Sequence, residues 1–231
     1  MKKKIYIFND YVCEVEDFGT EGIVTKKNNP DFRRKLIRGD YQVEHCSFPI
    51  TFFERENQTF LIHGTDWNRL DITLLEENVL LTDRVVDYES QTNYFDYFHS
   101  KLHISPDGSH FISNGWFWGP MDALSLFSVD DFLKNYELSF KMLYFDVTSG
   151  YNWDRPLCWI DNQTIAIGYN LLENEEIKIS KQNISELIYL NVFENKITKR
   201  VPFPALLPNE YGEVKGEIYY DKIKDNVTVS N

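Results

Sequence analysis

Residues 105–120 read SPDGSHFISNGWFWGP. Asp107-Gly108 is a tight-turn pair, because Gly and Asp accept the positive φ that short hairpins demand. A short strand should follow, ending in a loop where Trp116, Phe117 and Trp118 stand between Gly115 and Gly119-Pro120. A second strand is predicted over Ala123–Val129. The same plan recurs upstream in ERENQTFLIHGTDWNRLDITLLE, which begins at Glu54. An offset of 51 places Glu56 on Asp107, Phe60 on Phe111, Gly64 on Gly115, Trp67 on Trp118 and Asp71 on Asp122. A third copy, WIDNQTIAIGYN, starts at Trp159; Asp161 and Ile165 lie 54 beyond Asp107 and Phe111, and Gly168-Tyr169 falls near Gly115-Trp116 after a one-residue slip.

In each copy a turn (Glu56-Asn57, Asp107-Gly108 or Asp161-Asn162) opens a strand that runs into a Gly-aromatic loop. Second strands are predicted over Leu70–Glu76, Ala123–Val129 and Leu187–Phe193, and third strands over Val79–Thr82 and Lys196–Val201. A further strand would lead into the next unit. Such a unit is one four-stranded sheet, and β-propellers repeat such sheets every 40–50 residues or so. The expected fold is therefore all-β and propeller-like, with antiparallel blades of about 50 residues. Four to five blades or an open arc would result, in a single domain over 1–231. The visible repeats span 51–98, 102–150 and 157–208, and strand-like runs in 4–42 and 213–231 would share a blade if the ring closes. A large sandwich or barrel with accidental internal similarity is the alternative. SVDDFLKNYE, from Ser128, fits a helical turn capped by Ser128 or Asp130.

A chain of 231 residues buries roughly 70–75% of its unfolded surface and needs no disulfide or metal to hold it. Cys13, Cys46 and Cys158 are odd in number and far apart, which is no disulfide framework. The apolar run of MKKKIYIFND stops at Phe8, short of the roughly 7–15 residues of a signal peptide. No run approaches the roughly 18 residues of a membrane span. A cytoplasmic location with reduced thiols is expected, and the glycosylation-like triplets at Asn57, Asn162, Asn183 and Asn226 then read as chance. The abrupt end after NVTVSN also fits a piece of a longer protein. The formal net charge of −12 repels phosphate and anionic lipid, so neither nucleic acid nor membrane is an expected partner. A basic protein would instead be steered in, with an on-rate gain of about 10–10³-fold.

With SPDG, a strand, a Gly-Trp loop and a second strand in place, the chain resembles a blade of WD-repeat-like propellers over about 51–201. GWFWGPMDALSLF is more narrowly similar to a Gly-Trp-x-Trp-x-Pro segment of bacterial propeller-like proteins of unassigned role, through Gly115, Trp116, Trp118 and Pro120. The resemblance implies a propeller fold and says almost nothing about function. The Gly-His dipeptide of true WD repeats is missing.

No Gly-x-Ser-x-Gly elbow and no phosphate-binding glycine loop occurs in the sequence. Cys158 beside Trp159 reads as a buried, inert thiol. His99 and His103 have helical metal-ligand spacing, but they fall on a predicted strand, where four positions span roughly 13 Å. No metal or cofactor is expected. The carboxylates Asp130-Asp131, Glu76-Glu77, and Glu173 with Glu175-Glu176 read as solvated charge. Trp67, Trp116, Trp118 and Tyr169 remain, at related positions of three repeats and flanked by Asp66, Asp122 and Asn170. They are either wedges between blades or a recognition surface, since Trp and Tyr dominate binding hot spots. The leading expectation is a non-catalytic binding module for a protein, in its specific form an immunity-type inhibitor of a basic toxin. A hydrolase or sugar-binding protein with its site in the central funnel is the alternative, and a structural domain of a longer protein is a third reading.

Overall fold

The computed structural model describes residues 2–85, 87, 89–90, 96–119, 121–135, 140–143, 153–170, 185–206 and 214–230. Among these, the strands form four four-stranded antiparallel sheets and one two-stranded sheet. The first sheet holds β1 (Lys3–Phe8), β2 (Tyr11–Glu16), β3 (Glu21–Lys26) and β4 (Asn29–Ile37). The second holds β5 (Ile50–Arg55), β6 (Gln58–Asp66), β7 (Arg69–Leu74) and β8 (Val79–Leu80). The third holds β9 (Phe98–Ile104), β10 (His110–Phe117), β11 (Met121–Ser128) and β12 (Phe140–Leu143). The fourth holds β13 (Leu157–Trp159), β14 (Thr164–Asn170), β15 (Ser185–Asn191) and β16 (Lys196–Pro202), and the hairpin β17 (Ile218–Asp221) with β18 (Asn226–Val229) is the fifth. The fold is all-β and propeller-like.

Local chemistry sets these meanders. Glu56 and Asn57 adopt φ of 53° and 61° between the paired Arg55 and Gln58, a two-residue hairpin of the primed kind. Gly108 supplies φ 69° at the equivalent turn. In the fourth sheet the Asp161 carboxylate accepts from the amides of Gln163 and Thr164, each at 2.7 Å, and fixes that turn. The helical turn forms as α1 (Val129–Lys134), and Ser128 Oγ caps it by accepting from the Asp131 amide.

The sheets stack face to face in chain order. Neighbouring residues of β6, β10 and β14 point to opposite faces, as a period of two requires. Leu61 packs towards the first sheet with Tyr11, Val15 and Leu36, whereas Ile62 packs towards the third with Phe111 and Phe127. Ile112 then meets Leu157, Ile165 and Leu190 of the fourth sheet, and Ala166 meets Ile218 and Val227 of the fifth. Burying one such Leu or Ile side chain stabilises the fold by about 1.5–3 kcal/mol. The series is open: the outward face of β1 leaves Ile5 61% and Ile7 65% exposed.

Two expectations are corrected. Among the described residues the chain ends do not share a blade: residues 3–37 form a four-stranded sheet through their own tight turns, and β17 pairs with β18. The Gly-aromatic segments are not loops. Gly64, Gly115 and Gly168-Tyr169 lie inside β6, β10 and β14, and the turn begins only at Trp67 and Trp118. The second and third sheets bulge here, between Gly64 and Asp66 and between Asn114 and Trp116. Pro120 and Glu173, Glu175 and Glu176 lie outside the described residues. No described helix is long and apolar enough to cross a membrane.

Candidate functional site

The aromatic residues singled out by the repeat do gather, at the end of the sheets where β9 begins. Trp116 stacks on Phe98 with centroids 3.9 Å apart and planes 4° apart. Trp118 stands edge-on to both, at 5.4 Å from Trp116 and 5.5 Å from Phe98. Trp67 lies 4.6 Å from Phe98. Three further contributors escaped the repeat: Phe98 itself, Tyr41 from the linker after β4, and Trp153 from the segment before β13. Tyr41 contacts Trp67, Phe98 and Trp118, and Trp153 stacks on Trp116 at 5.2 Å. None of the three has a counterpart in the aligned copies, so periodicity could not find them.

Burial divides this cluster into two layers. Trp116 is 2% exposed, and its indole N–H donates to Cys46 Sγ at 3.2 Å. Burial pushes the Cys46 thiol up to about 12 against the opposing Trp116 hydrogen bond, so the sulfur is a neutral acceptor. Trp153 Nε1 donates to the His45 carbonyl at 2.7 Å. Trp118 and Tyr41 are 48% and 47% exposed and form the outer layer.

The flanking carboxylates have structural partners. Asp122 Oδ2 accepts from Arg155 Nε at 2.9 Å, both side chains almost wholly buried. Asp71, its counterpart one repeat earlier, is buried likewise and pairs with Arg69 at 2.7 Å and Arg84 at 2.8 Å. The shared Asp is thus a sheet anchor. Asp66 Oδ1 accepts from the Trp67 amide at 2.8 Å and shapes that turn. Tyr169 is buried under the guanidinium groups of Arg155 and Arg200, at 5.5 and 6.0 Å from its ring. The Asn170 side chain lies outside the described residues.

His99 and His103 both lie on β9, as the strand reading required. His99 Nδ1 is 2.9 Å from Ser113 Oγ, and burial pushes its pKa down to about 3. Burial likewise pushes His103 down to about 4.

The opposite ends of the first strands surround a cavity of about 570 Å³. Each of the five sheets contributes through its first strand or the residues adjoining it: Phe8, Phe52 to Glu54, His103 to Gly108, Leu157 to Trp159, and Glu217 to Tyr220. Glu217 Oε1 pairs with Lys101 at 3.0 Å and Lys4 at 3.5 Å. Burial opposes ionisation of Glu217, but Lys101 and Lys4 outweigh it and hold the carboxyl below its ordinary value. Cys158 is half-buried and lines this cavity, a correction to the buried thiol expected from its apolar neighbours. Burial still pushes it up to about 12, which leaves it protonated and unreactive.

No protein-family model matches the sequence, and no curated protein is similar to it in sequence. Among solved structures, the chain is similar to a putative 6-phosphogluconolactonase from Bacteroides uniformis, at 11% identity and TM-score 0.50, over 98% of this chain and 68% of that one. It is similar to AztD from Citrobacter koseri at 11% identity and TM-score 0.49, over 99% of this chain and 53% of that one. It is also similar to the β-propeller domain of Cps50 (Swd1) from Myceliophteria thermophila, at 8% identity and TM-score 0.46, over 91% of this chain and 59% of that one. The chain spans between 46% and 59% of the length of the first structures it matches. At such identities the likeness concerns the fold alone.

Proposed function

We propose that the chain is a protein-binding module whose contact surface centres on Trp118 and Tyr41. The observation that carries this reading is the two-layer arrangement: half-exposed rings held rigidly on a buried floor of Phe98 and Trp116. Rigid aromatic groups on a pre-formed base lose little entropy on binding and make good anchors. Exposed Asp40, Glu44 and Asp96 adjoin this layer in the chain, and the whole chain carries −12. The favoured partner is therefore a basic protein, and an inhibitor of a cationic toxin is one specific form of the reading. Three cysteines without a disulfide fit a reducing, cytoplasmic setting. Lys101 and Lys4 hold the Glu217 carboxyl below its ordinary value, the opposite of what a general acid needs.

The test is capture of partners from lysate by the intact chain and by a Trp118→Ala, Tyr41→Ala variant shown to be folded. A basic partner lost by the variant, with affinity falling as salt rises, supports the reading. Equal capture by both proteins overturns the surface, and a salt-independent complex overturns the electrostatic part.

A further inference from the structure

The cavity enclosed by the five first strands has a composition that the protein-binding reading does not use. It lies at the far end of β9 from Phe98, and seven strand residues separate the two ends by about 20 Å. Its volume, about 570 Å³, is that of a small-molecule site. The lining includes the aromatic side chains Phe8, Phe52, Trp159, Tyr219 and Tyr220, and three carboxylates, but no Lys or Arg. Phe8 and Phe52 are stacked with centroids 5.6 Å apart.

The charge of the lining is uneven. Glu217 pairs with both Lys4 and Lys101 from outside the lining, so the three carboxylates and two ammonium groups together leave one net negative charge. Glu54 and Asp107 are partnered by neutral donors only, among the described residues. Glu54 accepts from the Asn9 amide group at 2.6 Å. Asp107 accepts from the hydroxyls of Ser105 and Ser109, each at 2.7 Å, and from the Ser109 amide at 3.0 Å. Arg55, the nearest cation along the chain, pairs with Asp130 at 2.5 Å and the Gly108 carbonyl at 3.1 Å, and its guanidinium stands 5.6 Å over the ring of Phe53, which also lines the cavity. Two exposed carboxylates without a cationic partner, beside aromatic rings, favour a cation with an apolar body, because ring faces and carboxylates both attract positive charge.

We propose that this cavity binds a small organic cation, an alkylammonium head group carried on an apolar body. The proposal is independent of the Trp118 surface and survives if that surface fails. An anionic ligand would meet Glu54 and Asp107, and a neutral sugar would leave their charge unanswered.

The test is calorimetric titration of the full chain with choline, with 3,3-dimethylbutan-1-ol as its neutral carbon isostere, and with trimethyllysine amide. Choline should bind at least about tenfold more tightly than the isostere, a difference of about 1.4 kcal/mol. Tighter binding of trimethyllysine amide than of choline would assign the head group to a modified side chain, and the reverse to a free amine. Tyr219→Ala and Glu54→Gln change exposed side chains and should each weaken binding about two- to fivefold. Equal binding of the isostere, no heat from either cation up to about 10 mM, or unchanged affinity in both variants would overturn the proposal.

Discussion

Trp116 lies flat on Phe98, 3.9 Å between centroids, while Trp118, two residues on, stands perpendicular to it at 5.4 Å. One ring is floor and the other is surface. Trp116→Ala should therefore cost about 3–5 kcal/mol, the range for emptying a buried aromatic site. Trp118→Ala keeps the floor and should cost about 1 kcal/mol or less. Urea unfolding of the two variants separates them. Similar losses would mean that both rings are wedges and that no binding layer exists.

Arg155 and Asp122 form a buried pair at 2.9 Å, and the guanidinium also covers Tyr169 at 5.5 Å. Removing one charge strands the other. Asp122→Asn should cost about 3–5 kcal/mol. An Asp122→Leu, Arg155→Met double variant should lose less than Asp122→Asn alone, since no unpaired charge remains. A double variant as unstable as the sum of Asp122→Leu and Arg155→Met measured singly would show that the two side chains act separately.

Turns and second strands were legible because their chemistry is local. Glu56-Asn57 and Asp107-Gly108 announce positive φ, and both turn out to contain it. The facing of Leu61 and Ile62 to opposite neighbours follows from strand period alone. What escaped was built from first strands and linkers. Phe98, Tyr41 and Trp153 enter the aromatic cluster from segments with no repeat signature, and the cavity takes residues from five first strands spread over the chain. The Asp66, Asp122 and Tyr169 environments depend on distant arginines or turn amides, which spacing cannot reveal. The separation of Trp116 from Trp118 into floor and surface is likewise a packing outcome; in the sequence both are a tryptophan beside a glycine.

Buried histidines predict the pH response. Burial pushes His63 and His103 down to about 4 and His99 down to about 3, so all three are neutral in the folded chain at pH 6. In the unfolded chain each titrates near 6.5. Between about pH 6.5 and pH 4 the unfolded state binds more protons, so stability rises with pH. It is fully present above about 6.5 and is lost progressively as pH falls towards 4 and then 3. Urea midpoints should drop between pH 7 and pH 5, a window above most carboxylate titration. His99→Gln should flatten that drop by about a third, and an unchanged slope in the folded variant would assign the acid sensitivity elsewhere.

The three repeat glycines share one task, and their close approaches rank the cost of losing it. Each faces the segment that leads into the first strand of its sheet. Gly64 and Gly168 donate to the carbonyls of Pro49 and Pro156 at 3.0 and 2.8 Å, and Gly115 donates to Tyr97 Oη at 2.7 Å. A Cβ on Gly115 would lie 2.0 Å from the Phe98 carbonyl oxygen and 3.0 Å from the Tyr97 ring. A Cβ on Gly64 would lie 2.8 Å from Pro49 Cγ, and on Gly168 3.0 Å from Leu206 Cδ1. Backbone cannot step aside without breaking the bulge, a proline ring gives slightly, and a leucine terminus rotates. Gly115→Ala should therefore cost about 3 kcal/mol or more, Gly64→Ala about 1–3 kcal/mol, and Gly168→Ala about 1 kcal/mol. Thermal midpoints of the three variants should fall in that order, with Gly115→Ala also losing the stacked Phe98–Trp116 pair from the near-ultraviolet circular dichroism. A Gly115→Ala protein as stable as Gly168→Ala would mean that β9 and β10 are further apart at the bulge than their contacts here require.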